Sequence, residues 1–127
     1  MNASGWIGVD LDGTLAHYDG PKGPDHIGAP IMAMVNRVKT WLAAGKAVKI
    51  FTARVGAQGG TSAEGNTDDE AFAAKQRILI SQWCQTHIGQ ALEVTATKDF
   101  AMIELWDDRA VQVVPNTGIP FDLSRAL

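Results

Sequence analysis

Three short apolar runs in this chain stop abruptly at polar residues, and this pattern constrains the fold more than any other feature. Trp6-Ile7-Gly8-Val9 ends at Asp10, Ala47-Val48-Lys49-Ile50-Phe51 ends at Thr52-Ala53-Arg54, and Met102-Ile103-Glu104-Leu105-Trp106 ends at Asp107-Asp108. Near-continuous apolar runs of this length read as strands buried on both faces of a parallel sheet. Leu92-Glu93-Val94-Thr95 reads as another strand, and Ala110 to Val114 as a fifth.

Helical periodicity fills the intervals. Pro30 takes a favoured first helical position, and Ile31, Met34, Val35, Val38 and Leu42 follow at spacings of three and four until Gly45 stops the helix. Thr67 and Glu70 form a capping box for a second helix, with Asp68 and Asp69 at its positive end as structural residues. Phe72, Leu79, Ile80, Trp83 and Cys84 form its buried side, and Gly89 closes it. Residues 16–30 and the Gly-rich stretch Val55 to Asn66 read as loops. Alternating strands and helices predict one α/β domain over residues 1–127, Rossmann-like, with a mainly parallel sheet between two helical layers (a three-layer α/β/α sandwich).

Composition narrows the function classes. An apolar fraction of 46% and a charged fraction of 20% belong to an ordinary globular protein. Eleven basic residues are scattered against 14 acidic ones, a net charge of −3, and they form no stripe for the phosphates of a duplex. One cysteine, Cys84, permits no internal disulfide, suits a reducing cytoplasm and reads as a small core residue. No secretory signal stands before Asp10, and no run approaches the roughly 20 apolar residues of a membrane span. A soluble cytoplasmic protein is expected. The four tryptophans fall mostly at core spacings rather than forming a stacking platform for bases.

In a parallel sheet, ligands bind beyond the carboxyl ends of the strands, where strand order reverses. The fold therefore gathers Asp10 to Asp12, Thr52 to Arg54 and Asp107-Asp108 in one place. Such a set suits attack on a phosphate ester. One carboxylate is the nucleophile and a second is the acid and base. Mg²⁺ takes one or two carboxylates with substrate and water, and a cation offsets the phosphoryl charge.

Val9-Asp10-Leu11-Asp12-Gly13-Thr14-Leu15 resembles the first signature of the haloacid-dehalogenase superfamily. Thr52, Lys98 and Asp107-Asp108 resemble the second, third and fourth signatures, in the family's order. The resemblance implies that Asp10 attacks phosphorus and also touches Mg²⁺. Asp12 then protonates the leaving group, activates water and reaches the metal through its carbonyl. Thr52 and nearby backbone N–H groups, including that of Ala53, hold the phosphoryl oxygens, while Lys98 offsets their charge. Asp107, Asp108 or both complete the metal site, and spacing does not decide between them. The acid at position 12 separates the chain from members that cleave carbon–halogen bonds. Arg54 is a candidate for a bidentate contact to substrate phosphate or carboxylate. Arg109 is expected to order the acidic pair, and His17 and His26 to meet solvent.

Neither interval between signatures leaves room for a cap domain, so the resemblance implies a small capless phosphatase with an open site, roofed at most by the Val55–Asn66 loop or a partner subunit. A small phosphate ester is the favoured substrate. A polynucleotide 3′-phosphate end is the alternative, disfavoured by the acidic charge, and a non-catalytic phosphate- or metal-binding module is the rival from another class.

Overall fold

The computed structural model describes residues 5–56 and 67–125. Its elements run β1 (Trp6–Val9), α1 (Met32–Ala43), β2 (Ala47–Phe51), a 3-10 turn (Ala53–Val55), α2 (Thr67–His87), β3 (Glu93–Thr95), β4 (Met102–Trp106) and a second 3-10 turn (Leu123–Arg125). The four strands form one all-parallel sheet in the order β3-β2-β1-β4. The chain builds outward from β1 through β2 to β3, then returns to the other side of β1 with β4. Strand order thus reverses between β1 and β4.

Register assigns each strand residue to a face. Ile7 pairs with Val48, Val9 with Ile50 and Ile50 with Val94, so these side chains share one side of the sheet. Val35 and Val38 of α1 and Ile80, Trp83 and Cys84 of α2 pack onto that side as a single core. Val9, Val35, Val38, Ile50, Ile80 and Cys84 are wholly buried there. Each such aliphatic side chain contributes roughly 1.5–3 kcal/mol through burial. Burial also pushes the Cys84 thiol up to about 11, which suits a packing residue and not a nucleophile.

The opposite face departs from the three-layer expectation. Among the described residues it carries no helix. The connection from β3 to β4 is only residues 96–101, yet it joins the two edges of the sheet. A helix advances about 1.5 Å per residue and an extended chain about 3.3 Å, so six residues make this crossing only as coil. Trp6 anchors the crossing: its Nε1 donates to Asp99 Oδ1 at 2.9 Å and its backbone N–H to Ala101 O at 2.8 Å. The Lys49 ammonium sits 4.5 Å from the Trp6 ring centroid on the same face.

Other expectations shift in detail. Ala110–Val114 is not a fifth strand: only Val113 makes a bridge, to Pro120 across a turn, and Gln112 O accepts from Phe121 N–H. That leaves β4 as an edge strand, with Ile103 pushed out at a register shift between Trp6 and Ile7 and 63% exposed. Pro30 bridges to Ala16 instead of starting the helix, and α1 begins at Met32 with Ile31 as its cap. Gly45 stops α1 with φ +82°, its N–H donating to Leu42 O. Val55 is buried in a 3-10 turn and not in a loop. The rest of that loop (57–66) and the side chains of Thr67, Asp68 and Asp69 lie outside the described residues. No described helix is long and apolar enough to cross a membrane.

Candidate active site

β1 delivers Asp10 to the point where strand order reverses. The Asp10 N–H extends the sheet ladder to Trp106 O at 2.9 Å, so its carboxyl leaves the sheet where β4 ends and Asp107 begins. The chain then turns tightly, with the N–H groups of Leu15 and Ala16 both donating to Leu11 O. Leu11 and Leu15 are wholly buried and anchor the turn, while Asp10, Asp12 and Thr14 stay half-buried at its rim.

Gly13 makes the turn fit the acids. Its φ is +95°, and a Cβ there would stand 2.5 Å from Asp108 Oδ2. Only glycine takes this backbone conformation without strain and leaves room for the incoming carboxyl. One oxygen from each of Asp10, Asp107 and Asp108 then lies within 4.8 Å of the others. Burial, the hydrogen bond to the Asp108 carboxyl and the charges of Asp107 and Asp108 push Asp10 up to about 7, against the Thr14 hydroxyl, which donates to Asp10 Oδ2 at 3.3 Å. Three carboxyls at this separation oppose one another's ionisation. A set of hard oxygen donors whose charges need relief, seated in a space that a Cβ would fill, fits a cation of the Mg²⁺ type.

Asp12 is treated differently. Its side chain is not part of that cluster; it faces Arg54 in a bidentate pair, Nε to Oδ2 at 2.8 Å and Nη2 to Oδ1 at 2.9 Å. Thr52 sets up this contact. It ends β2, is 4% exposed, and its Oγ1 accepts the Arg54 N–H at 3.2 Å, winding residues 53–55 into the turn that aims Arg54 back at β1.

These groups border a cavity of about 320 Å³ lined by Asp10, Asp12, Tyr18, Phe51, Thr52, Ala53, Arg54, Asp107 and Arg109. A second depression of about 500 Å³ shares Asp12, Tyr18 and Arg54 with it and runs beneath the loop from His17 to Gly28. The three clusters expected to converge do so: Asp10, Asp12, Thr52, Ala53, Arg54 and Asp107 line one space, and Asp108 closes on Asp10 from the side of Gly13.

Two expectations change. Lys98 does not line the cavity of Asp10. It is exposed on the short β3–β4 connection and borders a separate depression along β4 that includes Glu104, Asp107 and Val111. That depression shares Asp107 with the cavity of Asp10. Arg54 reaches the cavity wall, but its N–H groups are committed to protein acceptors and not left for a substrate phosphate. The cation bordering Asp10 with no described side-chain partner is Arg109. Its backbone N–H donates to Asp107 Oδ1 at 2.7 Å, and Arg109 lines the cavity. His17 and His26 are exposed, and His26 contributes its carbonyl rather than its ring.

Thr14, Tyr18 and Gln76 join the site without having been singled out. For Gln76 a signal existed: a polar residue on the stripe of Phe72, Ile80 and Trp83 must find buried partners. It is wholly buried and bonded through both amide atoms. No protein-family model, curated protein or solved structure matches the chain.

Proposed function

We propose that this chain is a Mg²⁺-dependent phosphohydrolase of the haloacid-dehalogenase type, capless, that cleaves phosphate monoesters through an aspartyl-phosphate on Asp10. The observation that carries the reading is the contrast between two carboxyls at one strand end. Asp10 faces the acidic pair and the cavity, whereas Asp12 is held across the same cavity by an arginine. A metal-binding loop has no use for the second arrangement; an acid–base residue beside a nucleophile does.

In the first step an Asp10 oxygen attacks phosphorus, the bond to the ester oxygen breaks, and Asp12, which enters this step as the neutral acid, gives that oxygen its proton. In the second, Asp12 takes a proton from water, the water oxygen attacks phosphorus, and the bond to Asp10 breaks to release inorganic phosphate. The Thr52 hydroxyl, already accepting from Arg54 N–H, keeps its own hydrogen for a phosphoryl oxygen. Arg109 takes the charge-offsetting role that the sequence resemblance gave to Lys98. Asp10, Asp107 and Asp108 would hold Mg²⁺, which would supply positive charge to offset that of the phosphoryl group.

A cavity near the small end of the usual roughly 300–1,000 Å³ range favours a small phosphate ester, with the leaving group extending toward the loop above Asp12. The test is turnover of an aryl phosphate with Mg²⁺ and after chelation. Mg²⁺-dependent release of phosphate, lost in Asp10→Asn, is expected. No release between pH 5 and 9 by protein that still binds Mg²⁺ would turn the assignment toward a binding module.

A further inference from the structure

A guanidinium has five N–H donors in a rigid plane. In this protein Arg54 uses all five on five acceptors: Nε on Asp12 Oδ2, Nη2 on Asp12 Oδ1 and His26 O, and Nη1 on Pro24 O and Gln76 Oε1, at 2.7–3.0 Å. Gln76 in turn donates from Nε2 to Pro24 O at 2.8 Å. Arg54 thus ties the β1 turn, the post-nucleophile loop and α2 to one planar group whose side chain is 16% exposed.

Resting on the phosphohydrolase reading, we propose that Arg54, braced by Gln76, is a positioning residue for the general acid and not a ligand of substrate phosphate. Binding phosphate would require Arg54 to surrender its pair with Asp12. Keeping the pair fixes both oxygens of Asp12 in one plane, at the boundary between the cavity of Asp10 and the depression that receives the leaving group. The flanking bonds to Pro24 O and His26 O fix that depression's loop in the same act. Leaving-group protonation and leaving-group binding are therefore set by one side chain. Lysine does not substitute, because a point donor cannot hold both carboxylate oxygens and three further acceptors.

The experiment exploits the fact that a good leaving group departs without a proton. Wild type, Arg54→Met, Arg54→Lys and Gln76→Leu are assayed with Mg²⁺ on an alkyl phosphate, 4-nitrophenyl phosphate and 2,4-dinitrophenyl phosphate. Mislocating a general acid should lower kcat/KM, which reports phosphoenzyme formation and not the shared hydrolysis step, by about 10²-fold for the alkyl ester, within the usual 10²–10⁴-fold range of acid–base catalysis. The expected loss of kcat/KM on the dinitrophenyl ester is under about threefold. Arg54→Lys should recover only part of the loss, and Gln76→Leu should show the same leaving-group dependence at smaller size. Adding Arg54→Met to Asp12→Asn should cost little more, since the two act as one unit.

A loss of kcat/KM of equal size on all three esters, the mark of a phosphate ligand, would overturn the proposal. If Arg54→Met fails to fold, Gln76→Leu decides on the same criterion. A wild type that hydrolyses none of the esters would remove the phosphohydrolase reading and this proposal together. Wild-type turnover with no leaving-group dependence in the variants would remove this proposal alone.

Discussion

Asp10 and Asp12 stand two residues apart on one turn, yet the fold gives them opposite surroundings. Asp10 sits among like charges with a single hydroxyl donor, and its ionisation is opposed until about pH 7. Asp12 meets a planar cation that engages both of its oxygens. The difference shows how one strand end gives two carboxyls separate environments. Crowding leaves the first with charge that a cation would relieve. Pairing makes the second a fixed arm. Neither environment comes from the turn itself: Asp107 and Asp108 arrive with β4, and Arg54 arrives with β2.

The largest effect that can break this comparison is loss of the proposed nucleophile, Asp10. Asp10→Asn should abolish turnover and the trapped phosphoenzyme. Asp12→Asn should slow turnover by about 10²–10⁴-fold. It should leave Mg²⁺ affinity, measured by calorimetry, within a few-fold of wild type. Equal losses of Mg²⁺ binding in both variants would mean that the two acids share one role.

A second perturbation acts on the crowded side alone. Gly13→Ala places a methyl against Asp108 Oδ2 and forces alanine to φ near +95°. Such a backbone costs about 1–3 kcal/mol, so Tm should fall by several degrees. Mg²⁺ affinity should fall with it, by roughly tenfold if the steric push moves one of three ligands (about 1.4 kcal/mol). A stability loss with unchanged Mg²⁺ affinity would separate Asp108 from the metal site.

The pH dependence of stability sharpens the contrast further. The native state holds the Asp10 proton more tightly than the unfolded chain, since its pKa rises from 3.8 to about 7. The resulting stabilisation is fully present below about pH 4 and is lost as pH rises through about 7. Chelated protein should therefore lose Tm across that interval relative to Asp10→Asn, and added Mg²⁺ should shrink the loss. A wild-type profile that matches the variant's in chelator would show that the crowding of Asp10 does not reach the folding equilibrium.

The smallest effect is a control on the paired side. Lys75 meets Asp25 at 3.1 Å beside the loop that Arg54 holds, but both side chains are 60% exposed. Lys75→Ala should change stability by less than about 0.5 kcal/mol and leave turnover unaltered, because solvent and salt screen such a pair. A cost comparable to that of Arg54→Met would shift the bracing of the loop from the buried arginine to this surface pair.

Much of the site was legible in the chain because strand ends are legible. Apolar runs that stop at Asp10, Thr52 and Asp107 fix direction as well as extent, and parallel strands must send those ends to one edge. The place of Lys98 was less legible: its position in a motif says nothing of the path of a six-residue connection, and it borders a depression that shares Asp107 with the cavity rather than the cavity itself. That the described residues put no helix on the opposite face has a related origin. Alternating patterns forecast helices wherever a crossover is needed, but the β3–β4 crossover is too short to contain one. The partner of Arg54 was hidden because Asp12, Pro24, His26 and Gln76 are 22 to 42 residues away in sequence, and each is unremarkable alone.

By itself, then, the sequence determined the parallel sheet, the strand ends that carry polar groups and the carboxyls that gather there, because hydrophobic periodicity and abrupt polarity are local signals. Only the tertiary structure decided which acid is crowded and which is clamped, and which cation without a described side-chain partner lines the cavity of Asp10. Those outcomes depend on contacts between segments far apart in the chain, where a gap left by Gly13 or the five donors of one guanidinium settles which groups can meet.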